Sequence, residues 1–150
     1  MSTNLLLVSP YNVNFYGGVQ NQVNLFKNEL DSTNFNVRIA APESSDYDIG
    51  KTFRFPFNGS SNPITLIPNK EILEEATSWA DIVHIHEPFI PLFFWRLKTS
   101  KRTIVTHHAK VSKLIYFALK FLYLSLRNKS FYSTSVSAEA KANALTLSKK

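Results

Sequence analysis

An apolar run, Leu5-Leu6-Leu7-Val8, passes into a helix-spaced set, Val19, Val23, Phe26 and Leu30, through a loop carrying the glycine pair Gly17-Gly18. The run is short and uniform, as a buried strand is. The spacing after it marks one face of a helix. A glycine pair therefore sits where a strand hands over to a helix. Gly17 and Gly18 are expected to turn the backbone with positive φ and to let a ligand approach without a Cβ in the way. The free N–H groups of the following helix turn favour an anion such as a phosphate. A tight turn that only needs glycine is the plainer alternative. The pair is not the GxGxxG dinucleotide fingerprint.

The same alternation continues down the chain. A first strand covers about residues 4–9, and the first helix runs to about Leu30. Phe35 to Ala41 reads as a second strand stopped by Pro42. Glu43 to Gly50 is polar and is expected to be a surface loop. Thr52-Phe53-Arg54-Phe55 is a short third strand stopped by Pro56, and a loop containing Asn58 and Gly59 follows. Asn69 is placed to cap a helix that turns Ile72, Leu73, Ala76 and Trp79 inward. Asp81 to His86 is a fourth strand stopped by Glu87-Pro88. A short helix around Pro91–Leu97 leads to a fifth strand, Thr103 to Thr106, ending at His107-His108. A long helix covers about residues 112–128, Ser130 to Ser135 is a sixth strand, and Ser137 caps a last helix.

Apolar strands alternating with helices imply an α/β domain with a parallel sheet and helices on both faces. Right-handed crossovers narrow the topology to a Rossmann-like doubly wound sheet. With 150 residues and 44% hydrophobic content, one domain with a real core is expected. All strand carboxyl ends of such a sheet share one edge, where ligands bind. Pro10, Pro42, Pro56, Pro88 and His108 fall just past those ends, with Gly17, Gly18, Gly59, His86 and His107. That collection reads as a site.

His108 is the candidate catalytic residue, able to donate to or accept from a substrate hydroxyl near neutral pH. His86-Glu87 is either an acid/base or orienting pair or a solvated loop pair. His84 is placed on the opposite side of its strand from His86, as a packed core residue. Tyr11, Asn14, Gln20 and Asn58 supply neutral donors and acceptors suited to a polyhydroxyl compound. Lys110 and Lys113 either neutralise a phosphate or form a solvated first helix turn. There is no cysteine and no HExxH motif or close ligand set, so no metal site is assigned. The charge of +6 favours anionic partners, namely phosphorylated ligands or anionic lipid surfaces. The basic residues are spread out and no nucleic-acid module is present, so nucleic acid is not expected as a partner.

Several of these segments are family-like when taken together. PYNVNFYGGVQ follows the first strand, VRIAAP forms the second and FPFNGSS follows the third. ADIVHIHEP, IVTHH and SVSAEAK come after them in order. The chain resembles the N-terminal, acceptor-side domain of the retaining GT-B glycosyltransferases of family 4, in particular the phosphatidylinositol mannosyltransferase-like branch. The resemblance implies one half of a GT-B fold and hexosyl transfer from a UDP- or GDP-linked nucleotide sugar with retained configuration. It implies a phosphorylated polyol, lipid-linked or glycan acceptor, with neither cofactor nor metal. By that likeness Gly18 approaches the nucleotide diphosphate, and His108 contacts the transferred sugar. Tyr11, Gln20, Asn58 and Lys113 line the acceptor pocket. The chain departs from the branch at Asn14, often acidic there, at Ala109, commonly threonine, and in having no arginine after Asn58.

Such enzymes carry a second Rossmann-like domain with an Arg/Lys pair and a Glu-x7-Glu element, and no two glutamates here have that spacing. The expectation is thus an acceptor half, inactive without a C-terminal domain that another chain could supply. A non-catalytic module binding a phosphorylated ligand or a partner chain is the alternative. No signal peptide is visible, so a cytoplasmic protein is expected. Leu114 to Leu126 is apolar or aromatic except for Lys120 and Ser125. It is too short to span a bilayer. It is either a sheet-covering helix or one that rests on a membrane surface or a missing domain.

Overall fold

The structure, a computed structural model, describes residues 2–31, 33–43, 45–54, 63–88, 96–109 and 131–141. In chain order these form β1 (Thr3–Val8), α1 (Gly18–Asp31), β2 (Phe35–Ala41), β3 (Tyr47–Asp48), β4 (Phe53–Arg54), β5 (Pro63–Ile64), α2 (Lys70–Trp79), β6 (Ile82–His86), β7 (Arg102–His107) and β8 (Phe131–Ser135). Among the described residues six strands make one sheet in the order β3-β2-β1-β6-β7-β8. Every neighbouring pair in it is parallel. This is an α/β, Rossmann-like fold.

Strand β1 is buried on both faces, and for that reason Leu5-Leu6-Leu7-Val8 has no polar alternation. Leu5 and Leu7 point to one face with Val37, Ile39 and Ala41, beneath Val23 of α1. Leu6 and Val8 point to the other with Ala40, Val83, Ile85 and Val105, against Leu73 and Ala76 of α2. Leu6 and Leu7 are fully buried, and each such side chain stabilises the fold by roughly 1.5–3 kcal/mol. Helix α2 starts where the Asn69 side chain accepts the N–H groups of Glu71 and Ile72, at 2.9 and 3.3 Å. Ile72 and Trp79 pack half-buried beside its buried face. Ser137 caps the last turn, its Oγ accepting the Ala140 N–H at 3.1 Å.

Two expectations are corrected. The Glu43–Gly50 stretch is not a plain surface loop, because Tyr47 and Asp48 form the edge strand β3. Tyr47 and Ile49 are buried in the core. A parallel neighbour normally needs a long crossover. Here β3 pairs only with Ala40 and Ala41, so the chain steps back just two residues and a short loop suffices. Inside that loop the Ser45 hydroxyl accepts the Ala41 N–H at 3.1 Å, and Asp46 Oδ2 accepts the Ile39 N–H at 2.8 Å. These side chains stand in for a partner strand along the edge of β2.

The third expected strand is also not part of the parallel sheet. Phe53 and Arg54 pair antiparallel with Ile64 and Pro63 in a separate two-stranded sheet. Both β4 residues are exposed, which is why the local apolar pattern there is too weak to mark a core strand. Pro56 and Gly59, the expected helix over residues 112–128 and most of the helix around Pro91–Leu97 lie outside the described residues. Leu97 itself is buried on the α2 face. Among the described residues, no helix is long and apolar enough to cross a membrane.

Candidate functional site

The strand order reverses direction between β1 and β6, with β2 and β3 on one side and β7 and β8 on the other. In an open parallel sheet such a switch point is where ligands bind, outside the carboxyl ends of the strands.

The loop after β1 is pinned on three sides. Ser9 Oγ accepts the Tyr11 N–H at 3.1 Å, and Pro10 O accepts the Thr65 N–H at 2.8 Å. Asn12 folds into an Asx turn, its Oδ1 accepting the Asn14 N–H at 2.9 Å. Asn24 of α1 donates to Val13 O at 2.9 Å. The buried Asn12 also donates through Nδ2 to Glu43 Oε2 at 3.1 Å. Glu43 Oε1 in turn accepts from the Thr52 N–H at 3.0 Å and the Thr52 hydroxyl at 2.9 Å. These bonds hold the Glu43 carboxyl below its ordinary range. Glu43, at φ 55°, thus ties the site loop to the start of β4. Sequence reasoning missed it because Glu43 looked like one polar residue among several.

The glycine pair works differently from the expectation. Neither Gly17 nor Gly18 has positive φ; among the described glycines that conformation belongs to Gly50, at φ 122°. A Cβ on Gly17 would strike the side chain of Gln20, whose Cδ lies 2.8 Å from that position. Gln20 is itself buried, so Gly17 is small to admit it. Gly18 faces open space, with nothing within 4 Å of a would-be Cβ. Its exposed backbone opens α1, which has no acidic residue in its first turn. An anion there meets the positive helix end without opposition from that turn. Asn14 is exposed beside this loop, with its Nδ2 at 3.5 Å from Glu43 O.

On β6 the expected placing of His84 and His86 on opposite sides is wrong. Residues two apart on a strand share a face, and their rings stack with centroids 4.3 Å apart. Phe26 of α1 covers both, at 5.4 and 5.9 Å. His84 Nε2 lies 2.7 Å from Thr106 Oγ1, which lies 2.7 Å from Thr134 Oγ1. His86 Nδ1 lies 3.1 Å from His108 Nε2. His107 turns to the opposite face, with Nε2 3.1 Å from Ser133 Oγ. The register sets Thr106 beside His86 and Thr134, on the face that His84 shares.

Burial disfavours a charge on all of these rings. It brings His84, His107 and His108 down to about 4, and His86 well below its ordinary value. The imidazoles are neutral at pH 7.

Glu87 follows directly, with φ 55° and 6% exposure. Its N–H donates to Thr106 O at 3.0 Å. Its carboxylate accepts the backbone N–H groups of His108 and Ala109, yet burial still pushes it up to about 7. The Tyr11 phenol is pushed up in turn, by burial first and the Glu87 charge second. Tyr11, His86, Glu87 and His108 are therefore linked across the carboxyl ends of β1, β6 and β7. Asn58 and Lys113 lie outside the described residues. Among the described residues no three His, Asp or Glu side chains are grouped to hold a metal ion.

The linked groups are neutral hydrogen-bonding rings, a phenol and one carboxyl that titrates near neutrality. Such a set suits hydroxyl and phosphoryl oxygens. No protein-family model matches the chain, and no curated protein matches it.

Proposed function

We propose that the chain is the acceptor-binding side of a retaining glycosyltransferase. The reaction is hexosyl transfer from a UDP- or GDP-linked sugar to a hydroxyl on a phosphorylated polyol, a lipid-linked acceptor or a glycan. The observation that carries this reading is the linkage of Tyr11, His86, Glu87 and His108 at the point where the sheet order reverses. It is supported by the GGVQ and HIHEP segments, which sit on either side of that point.

In this reading neutral His108 hydrogen-bonds the transferred sugar. Tyr11 meets the acceptor, and the exposed backbone at Gly18 with the α1 N-terminus approaches the diphosphate; Gln20, expected to line the acceptor pocket, is instead buried against Gly17. Stabilising the leaving diphosphate is a major catalytic term in such a transfer. The resemblance assigns most of that role, and recognition of base and sugar, to a second Rossmann-like domain on the same or another chain. The excess of basic over acidic residues suits phosphorylated ligands.

Titration of the folded protein with UDP-sugars, GDP-sugars and polyol phosphates tests the reading. Saturable binding is expected, weakened about tenfold or more in His108→Ala, equivalent to at least about 1.4 kcal/mol. Absence of binding to every member of the panel overturns it. Product formation by the 150-residue protein alone would overturn the division of labour between two domains.

A further inference from the structure

The stacked pair His84 and His86 starts two hydrogen-bond chains, and the second has a direction. In the first, Thr134 Oγ1 lies 2.7 Å from Thr106 Oγ1 and 3.4 Å from Val105 O, and either threonine hydroxyl can donate in the shorter contact. His84 Nε2 lies 2.7 Å from Thr106 Oγ1, as donor or acceptor according to its tautomer.

The second chain ends at the candidate site. His86 Nδ1 and His108 Nε2 face each other at 3.1 Å, and one of them carries the shared proton. His86 Nε2 is buried without a partner. Were the shared proton on His108, neutral His86 would hold its own on Nε2 as a buried donor with no acceptor. Orphaned buried N–H groups are the rarer defect; an orphaned acceptor is better tolerated. The proton therefore belongs to His86 Nδ1, and His108 Nε2 accepts it. Neutral His108 then keeps its own proton on Nδ1. His108 is only half-buried, and its Nδ1 is not among the buried unpartnered atoms.

We propose that His86 is a positioning residue that holds His108 in the Nδ1–H tautomer, so that His108 offers a ligand a hydrogen-bond donor for an oxygen and no proton-accepting nitrogen. The ligand side of this statement rests on the reading of His108 as a sugar contact; the tautomer does not. A hydroxyl or phosphoryl oxygen satisfies such a donor. A site built this way discriminates against a ligand that lacks the oxygen, because the N–H is then left unpaired. The depressed pKa values agree with it, since a cationic His86 would bury an additional unpaired N–H.

A long-range 1H–15N correlation spectrum of the ligand-free protein at pH 7 tests the proposal, because it separates protonated from bare ring nitrogens and Nδ1 from Nε2. The expected result is Nδ1–H for His86 and for His108. An Nε2–H on His108 overturns the proposal in the wild-type protein, with no variant needed. His86→Asn keeps a donor at the Nδ1 position and is expected to retain the Nδ1–H signature of His108. His86→Leu removes the donor and is expected to lose it. Retention of the signature in His86→Leu, or its loss in both variants, overturns the role of His86. The spectrum contains no ligand, so failure of sugar binding would sink the transferase reading while leaving the tautomer assignment to be judged separately.

Discussion

Glu87 holds His108 by its backbone: the buried carboxylate after β6 accepts the His108 N–H after β7. The clasp keeps a carboxyl in a place that water does not reach. Its pKa is raised from 4.5 to about 7. The folded protein keeps the proton up to that pH, whereas the unfolded chain loses it near 4.5. Stability therefore falls as pH rises between those values and levels off above them, by about 3 kcal/mol in total. Glu87→Gln retains an acceptor for the backbone N–H groups and cannot ionise. Its stability relative to wild type, measured by urea unfolding, should rise by up to that amount between pH 4.5 and 8. Parallel curves would mean that Glu87 titrates as an exposed carboxyl does.

The histidines act with the opposite sign. His84 falls from 6.5 to about 4, so its contribution is complete above 6.5 and is lost as pH falls toward 4. His86, His107 and His108 shift the same way. Four such groups outweigh one carboxyl, and the protein should be acid-labile. His84→Gln keeps a hydrogen-bonding group near Thr106 Oγ1 but does not titrate. It should reduce the slope of stability against pH by about 1.4 kcal/mol per unit within that window. An unchanged slope would show that His84 is freely protonated in the fold.

Thr106 links His84 to Thr134. Thr106→Val leaves His84 Nε2 buried without its hydrogen-bond partner and should cost about 1–3 kcal/mol. Thr134 is exposed, so water can replace it and Thr134→Val should cost under about 1 kcal/mol. Equal losses in denaturant unfolding would show that water does not replace the Thr134 hydroxyl.

Gly50 and Gly17 should respond differently to alanine. At φ 122° Gly50 cannot accept a Cβ without backbone strain, so Gly50→Ala should cost about 1–3 kcal/mol. A Cβ on Gly17 meets only the movable end of Gln20, and the loss of chain freedom in the unfolded state offsets part of that cost. Gly17→Ala should cost under about 1 kcal/mol. Thermal unfolding of the two variants side by side checks the order.

Asn69→Ala removes the acceptor of two N–H groups at the start of α2. The expected loss is about 1 kcal/mol, with no change in binding, because none of Tyr11, His86, Glu87 and His108 bonds to Asn69. A loss of ligand binding without a loss of stability would count against a purely structural cap.

The sequence alone determined the order β1, α1, β2, α2, β6, β7 and β8. Uniform apolar runs such as Leu5–Val8 and the α1 face are local signals, set by burial on both sides of a sheet and by the helical repeat. It also brought Tyr11, Glu87 and His108 to one edge, because a parallel sheet puts all its carboxyl ends together. Tertiary structure decided the rest. Tyr47 became an edge strand through side chains of Ser45 and Asp46 that cap β2, a pairing with no local periodicity. Phe53 and Arg54 left the parallel sheet because their partner, β5, runs antiparallel to them. Gly17 proved to make room for Gln20, and that contact exists only once α1 has formed. The chemistry of His108 depends on His86 facing it across two strands with the far nitrogen sealed from water. Residue type names a proton carrier, but which nitrogen bears the proton is set by neighbours distant in the chain.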